Sequence, residues 1–147
     1  MQKDLILQGY DDVKNATTLL KASIKKFSPY KVEKKYTPKE LEYYDSLSFR
    51  FEKSVELVLS VFKGLELFLY AKGSDTLRDR LLIMQKLEIV DTIDFWMEAR
   101  ILRNKIAHSY LPELLREIYD EIIDKSQVIF ESVERIQKYL SRIGIST

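Results

Sequence analysis

Apolar residues recur at alternating spacings of three and four along most of the chain, and this period constrains the fold more than any other feature. One stripe runs from Ile6 to Phe27 and a second from Leu41 to Leu69. Such spacing places apolar side chains on one face of an α-helix, whereas a half-buried strand would alternate at every second residue. Only 4 glycines and 3 prolines are present, far fewer than a β-rich chain needs for its turns. The sequence therefore predicts an all-α protein.

Breaks in the helical pattern mark the limits of the first two helices. The first helix is predicted to end near Phe27, because Ser28-Pro29 follows and residues 31–35 are mostly polar, without a period of their own. The next helix has two agreeing start signals, a capping box and a proline at the first helical position, in the segment 37–40 (Thr-Pro-Lys-Glu). This long second helix is predicted to continue until Gly73, where a glycine can stop it.

Capping residues and prolines divide the rest of the chain into three further helices. Ser74 or Asp75 is predicted to cap a short third helix, and Asp91 or Thr92 a fourth. The fourth helix should stop near Tyr110, because a proline at 112 disfavours the helical conformation at the residue before it. That proline then opens a fifth helix, which frays near residue 144. The outer side of the third helix is predicted to carry Arg78, Asp79, Arg80 and Lys86.

Length and composition narrow the class of protein further. The 147 residues suit one domain, expected to span residues 1–147 as an up-and-down bundle of four to five helices. The absence of cysteine excludes disulfides and cysteine nucleophiles. A net charge of +1 gives no bulk basic field, so any nucleic-acid surface must be local, and no DNA partner is expected. Because no stretch resembles a signal peptide or a membrane span, we expect a cytoplasmic protein without a membrane partner.

The only histidine lies in the segment 103–110, whose sequence is Arg-Asn-Lys-Ile-Ala-His-Ser-Tyr. At about 100° per residue, Asn104 and His108 fall on nearly the same azimuth, and Tyr110 returns to within about 20° of Arg103 if the helix persists that far. We therefore expect these four side chains on one side of the helix, with Ile106 anchored in the core. A guanidinium binds phosphate oxygens and an imidazole exchanges protons near neutral pH, so the set suits phosphate chemistry.

Simpler roles for the same residues are consistent with the pattern as well. Arg103 can form a surface ion pair, and His108 can be a cation at a helix C-terminus. Asn104 can be solvated, and Tyr110 can be an aromatic at a helix end. One histidine without cysteine cannot build a cluster of histidine or thiolate ligands, and no tight acidic motif favours Mg²⁺, although a carboxylate site stays possible. No metal or other cofactor is therefore expected.

The run Arg-Asn-x-x-x-His-x-Tyr resembles the motif of the HEPN superfamily, specifically of small prokaryotic HEPN proteins paired with minimal nucleotidyltransferases. The preceding segment 94–102, which includes Trp96, resembles the approach to the motif in the branch called nucleotidyltransferase substrate-binding proteins. Residues 50–56 resemble the Phe-Glu-x-x-x-Glu helix of the same branch. The resemblance covers the chain from about Tyr44 onward. It implies a HEPN-like helical bundle, in agreement with the order of helices predicted from the period.

The resemblance also implies an activity. Many members of the superfamily are metal-independent endoribonucleases that act as toxins, and two subunits meet about a twofold axis so that both motifs line one cleft. By this resemblance Arg103 would hold the scissile phosphate, His108 would act as general acid or base on the RNA, and Asn104 would orient them. Tyr110 matches the tyrosine that the partner nucleotidyltransferase modifies with AMP in related toxins, and such a modification would block the site.

Three functions stay open at this point. The first is a homodimeric RNA-cleaving toxin whose antitoxin is a minimal nucleotidyltransferase. The second is a non-catalytic nucleotide-binding or substrate-binding subunit of that nucleotidyltransferase. The third is a helical interaction module in which the motif is fortuitous. Residues 109–113 depart from the branch, because they replace the acidic residue that often follows its tyrosine, and this leaves the nucleophile and the base unassigned.

Basic and aromatic residues outside the core of the motif are candidates for a wider RNA surface. The basic candidates are Lys105, Arg78, Arg80, Lys31, Lys34 and Lys35. Each of them is also a common solvated charge of a soluble helical protein. The aromatic candidates for base stacking are Phe49, Phe51, Phe62, Phe68 and Trp96. Their helical spacing is more typical of a core or a dimer interface, so we interpret them as structural.

Overall fold

The computed structural model describes residues 2–147, and over that range it contains helices and no strand. The helices are α1 (Gln2–Lys25), α2 (Pro38–Tyr70), α3 (Leu77–Lys86), α4 (Ile93–His108) and α5 (Pro112–Arg142). The prediction of an all-α bundle is confirmed, including the order of the helices. Among these helices of residues 2–147, none is both long and apolar enough to cross a membrane.

Helices α1, α2 and α5 form the long part of the bundle. Helix α2 runs antiparallel to α1, because Tyr43 near its start donates a hydrogen bond to the carbonyl of Ser23 near the end of α1 (2.7 Å). Helix α5 runs parallel to α2, since Tyr44 stacks on Tyr119 near the beginnings of both helices, with ring centroids 4.6 Å apart. Helix α1 therefore runs antiparallel to both α2 and α5.

Helix α4 completes the bundle and is joined to α2 through the short α3. Trp96, near the start of α4, contacts the ring of Phe62, whereas the later Arg103 lies near the earlier Glu52. Helix α4 is therefore antiparallel to α2. Its C-terminus lies at the same end of the bundle as the beginnings of α2 and α5, and this placement determines what can surround the motif.

The predicted starts of α2 and α4 are confirmed by their capping hydrogen bonds. At α2, the Thr37 hydroxyl accepts from the N–H of Glu40, and the Glu40 carboxylate accepts from the N–H of Thr37. At α4, the Thr92 side chain accepts from the N–H of Phe95. These local bonds satisfy backbone donors that have no partner within the helix, which explains why the sequence signals were sufficient.

Two other predicted helix limits are wrong. Helix α2 ends before Gly73, because Ala71 adopts the left-handed conformation (φ 56°) that closes the helix. Helix α3 is capped by Thr76, and not by Ser74 or Asp75. Thr76 is extended, so its hydroxyl can accept from a backbone N–H in the first turn of α3.

A single hydrophobic core lies between the helices and fixes α4 in place. The Trp96 ring, Ala99 and Leu102 are buried on α4, and Phe51 and Phe62 of α2 are fully buried. These aromatic residues are structural, as the sequence analysis predicted. Phe68 is half-buried against the core. Phe49 differs, because 63% of it is exposed.

A buried ion pair fixes the connection between α2 and α3, and it places Arg80 differently from the prediction. Glu66 is 1% exposed, and the side chain of Arg80 is 15% exposed, with 3.3 Å between Oε2 and Nε. These two atoms are close but are not aligned as a hydrogen bond. The Glu66 carboxylate accepts from the N–H of Ser74, and Arg80 donates to the Ser74 carbonyl (3.2 Å). The predicted outward position of Arg80 is therefore wrong.

The connection between α1 and α2 is packed by tyrosines, although its sequence is mostly polar. Tyr30 is buried and stacks on Tyr36, with ring centroids 4.7 Å apart. The centroid of the Tyr30 ring also lies 5.4 Å from that of Tyr119 on α5. Tyr44 donates a hydrogen bond of 2.6 Å to the carbonyl of Ser28. These contacts join the connection to the rest of the bundle, so it is more than the aperiodic linker that its composition predicted.

Candidate functional site

The predicted site residues lie at the end of α4, where the helix leaves the core. Arg103 is half-buried, whereas Asn104, Lys105 and His108 are exposed. None of the ion pairs among residues 2–147 includes any of these side chains. Since the preceding turns are anchored in the core, the polar side chains are displayed from a rigid backbone.

Tyr110 does not share the helical face that the sequence analysis assigned to it. Helix α4 ends at His108, and Ser109 is extended (φ −109°, ψ 130°). The condition that the helix persists to Tyr110 is therefore not met, and the prediction based on it is wrong. Tyr110 lies in the junction between α4 and α5 and is 84% exposed. Its hydroxyl is accessible to a second protein, as a modification site would require.

Arg103 and His108 also lie on different parts of the α4 surface. Five residues separate them, which on a regular helix corresponds to about 140° of rotation and about 7.5 Å along the axis. Their burial agrees with this angle, because Arg103 is half-buried near α2 and His108 is exposed. Asn104 and His108 lie one turn apart, as predicted. The exposed pair on one side is therefore Asn104 and His108, with Arg103 turned toward α2.

Helix α2 supplies an acidic neighbour for Arg103 that the motif alone does not include. Burial raises the pKa of the Glu52 carboxyl, the positive charge of Arg103 lowers it, and the nearby Glu56 raises it. The net direction is upward, so burial outweighs the favourable charge of Arg103. Both glutamates belong to the Phe-Glu-x-x-x-Glu segment noted in the sequence. The Phe-Glu-x-x-x-Glu pattern identified this segment of the sequence, but it did not predict that Glu52 lies near Arg103.

A groove of about 430 Å³ lies beside the motif, between the first half of α2 and the junction of α4 with α5. Two carboxylates, Asp45 and Glu52, and two exposed aromatic residues, Phe49 and Tyr110, are part of its wall. Tyr119 of α5 also lines the groove, and burial, followed by the charge of Asp45, raises the pKa of this tyrosine to about 12. Tyr119 is therefore a neutral phenol at physiological pH, able to donate a hydrogen bond but not to act as a phenolate.

Two of the predicted basic residues, Arg78 and Arg80, do not join this site. Arg78 is exposed on α3, and Arg80 is paired with Glu66. Glu66 lies fourteen residues after Glu52 on α2, which corresponds to about 20 Å along the helix. Among residues 2–147, no group of three or more histidine, aspartate or glutamate side chains is arranged to hold a metal ion.

Comparison of the chain with family models, curated proteins and solved structures finds no match.

Proposed function

We propose that this protein is a metal-independent endoribonuclease whose site is built on the end of α4. The observation that carries the proposal is the exposed pair Asn104 and His108 on a helix anchored by Trp96 and Leu102. Arg103, on the same helix, is half-buried toward α2. Such a set offers a proton-transfer group, a hydrogen-bonding amide and a cation for a phosphodiester. The resemblance of the motif to HEPN proteins supports the same assignment.

The proposed reaction is a transesterification within RNA. The 2′-oxygen of one nucleotide attacks the adjacent phosphorus, its proton passes to an acceptor, and the bond from phosphorus to the 5′-oxygen breaks as that oxygen gains a proton. The products are a 2′,3′-cyclic phosphate and a 5′-hydroxyl. His108 transfers one of the two protons, Arg103 binds the non-bridging phosphate oxygens, and Asn104 orients the reacting groups. No metal, water molecule or cofactor is consumed.

The proposed active form is a homodimer in which two motifs line one cleft. Because Arg103 and His108 of one chain are separated by about 140°, a second copy would place another imidazole and another guanidinium within reach of the same phosphate. Exposed apolar side chains flank the motif, a composition typical of an interface and costly to leave in water. They are Phe49, Ile101, Tyr110, Leu111 and Leu114.

The test is cleavage of cellular RNA by the purified protein in excess EDTA, followed by analysis of the fragment ends. The wild type should leave cyclic phosphates, whereas His108→Ala and Arg103→Ala should each lower the rate by about 10² or more. Arg100→Ala is the matched control, because Arg100 is exposed on the same helix one turn earlier. Full activity of either motif variant, in a folded state, would refute the role given to that residue.

Regulation by a minimal nucleotidyltransferase antitoxin is part of the proposal. The Tyr110 hydroxyl attacks the α-phosphorus of ATP, the bond to the departing pyrophosphate breaks, and the phenolic proton is released. The added phosphate brings negative charge next to the motif and competes with RNA for Arg103. Tyr110→Phe should therefore stay active with the partner and ATP present, while the wild type loses activity and gains the mass of AMP. Equal inhibition of both proteins would exclude this mechanism.

The groove beside the motif favours a second candidate function, that of a non-catalytic nucleotide-binding subunit of a nucleotidyltransferase. A volume of about 430 Å³ is in the range of small-ligand sites, and exposed Phe49 could stack on a base. Under this alternative, calorimetry should detect binding of AMP or ATP to the wild type and its loss in Phe49→Ala, while RNA stays uncut. Cleavage that disappears in His108→Ala would exclude the alternative.

A further inference from the structure

The connection between α1 and α2 carries a local excess of positive charge, although the net charge of the whole chain is only +1. Residues 25–39 contain six lysines and a single acidic residue, Glu33. All six lysines are exposed. The next acidic residue, Glu40, is already paired with Lys34 at 2.7 Å. The six are Lys25, Lys26, Lys31, Lys34, Lys35 and Lys39.

The backbone that carries these lysines is held in one shape by the tyrosine cluster. The N–H of Lys31 donates to the Tyr36 hydroxyl (2.9 Å), and the Lys34 ammonium lies 4.8 Å from the centre of the Tyr36 ring. Tyr30 anchors the middle of the connection in the bundle, where it is buried. A charged surface on an ordered backbone loses less conformational entropy when it binds a ligand than a flexible chain does.

Part of this surface is concave, and the surface lies at the same end of the bundle as the motif. Lys26, Lys31 and Lys34 contribute to the wall of a hollow of about 270 Å³. Tyr30 of this connection contacts Tyr119, and Tyr119 also lines the groove that contains Tyr110. Tyr119 on α5 therefore joins the packing of the lysine-rich connection to the surroundings of the motif.

We propose that this lysine surface, residues 25–39, binds the phosphate backbone of the RNA strand on one side of the scissile phosphate. The inference rests on the proposed function, because it assigns a path to the substrate of that site. Lysine ammoniums act as point charges for successive phosphates, without a need for bases in a particular geometry. The surface thus provides affinity and orientation, and the motif provides the chemistry. An RNA strand is favoured over other anions because its phosphates are spaced along a chain that can reach both the lysine surface and the motif.

The test is binding of a fluorescent single-stranded RNA, followed by anisotropy at several salt concentrations. All proteins carry His108→Ala so that the RNA stays intact. The variant Lys26→Gln, Lys31→Gln and Lys35→Gln removes three charges but leaves the Lys34–Glu40 pair in place. The control variant removes three exposed lysines toward the other end of the bundle, through Lys63→Gln, Lys72→Gln and Lys138→Gln. Circular dichroism verifies that both variants are folded.

The two variants should differ in the dependence of affinity on salt. Loss of three phosphate contacts should reduce the slope of log K against log salt by about 2, and the affinity at about 0.1 M salt by at least about tenfold. The control variant should keep the slope of the parent, although its net charge is the same as that of the test variant. The triple change at residues 26, 31 and 35 should also lower the cleavage rate at limiting RNA when His108 is present.

The other outcomes of these experiments distinguish failure of the lysine surface from failure of the proposed nuclease. Equal slopes for the test variant and the parent, with cleavage that still depends on His108, would refute the lysine surface and leave the proposed function standing. A lysine-dependent slope without any cleavage by the wild type would refute the nuclease and retain the surface as a strand-binding site. Binding to vesicles containing phosphatidylserine through the same lysines, without RNA binding, would refute the inference in favour of a membrane surface.

Discussion

The buried ion pair between Glu66 and Arg80 predicts that the substitution Arg80→Met destabilises the fold. Arg80→Met keeps most of the volume of the side chain but removes its charge, so it leaves a carboxylate that is 1% exposed with only the Ser74 N–H as a partner. Breaking a buried pair in this way costs about 3–5 kcal/mol. Because 15% of the Arg80 side chain is exposed, we expect the lower limit, about 3 kcal/mol. For a chain of this length, that loss lowers Tm by about 6–12 °C.

The assay is urea unfolding followed by circular dichroism, with Arg78→Met as the matched control. Arg78 lies on the same helix and is exposed, so its loss should change the free energy of unfolding by less than about 0.5 kcal/mol. Adding Glu66→Gln to Arg80→Met removes both charges while keeping an oxygen for Ser74. The double variant should therefore be more stable than Arg80→Met alone.

Similar losses for Arg80→Met and Arg78→Met would refute the inward placement of Arg80. A double variant that is less stable than Arg80→Met would show that charge pairing is not what makes the single change costly. The first result would return Arg80 to the exposed face of α3, as the sequence pattern predicts.

Three further predictions concern helix ends. Thr37→Ala removes a cap of α2 and should cost about 1 kcal/mol in urea unfolding; an unchanged midpoint would contradict the capping box. The bonds from Lys34 and Thr37 hold the pKa of Glu40 at about 2, below its ordinary 4.5, so they stabilise the fold above about pH 4.5 and this contribution is lost as pH falls toward 2. The stability deficit of Glu40→Gln, measured across this pH range, should therefore shrink with acid, and a constant deficit would contradict the pairing. Ala71→Gly should raise Tm by about 2–4 °C because φ is 56°, and a lower Tm would contradict the left-handed cap.

The local features of this chain could be predicted well from the sequence. The capping box at Thr37 and the cap at Thr92 are confirmed, because each depends on bonds between residues three positions apart. The apolar stripes identified the buried faces for the same reason, since the helical period is a property of the backbone. The errors at Gly73 and Ser74 occurred where another nearby residue, Ala71 or Thr76, could serve instead.

The resemblance to HEPN proteins stays a prediction about function, and the structure adds the surroundings that any function must use. The motif predicts Arg103, Asn104 and His108 as a polar group on one helix. The sequence pattern includes Tyr110 in that helix, because the proline two residues later limits the helix without fixing its last residue. An early end at His108 places the tyrosine in an exposed junction.

The sequence by itself determined that this chain forms amphipathic helices, where most of them begin, and that its one histidine lies near a helix end. These properties depend on neighbours within about one helical turn. Only the tertiary structure decided that Glu52 lies near Arg103, that Arg80 is turned inward toward Glu66, and that the lysine-rich connection and the motif share one end of the bundle. These placements depend on which helices become neighbours, in which direction and at which rotation. Such long-range packing is set by the fit of whole apolar faces, and no local pattern encodes it.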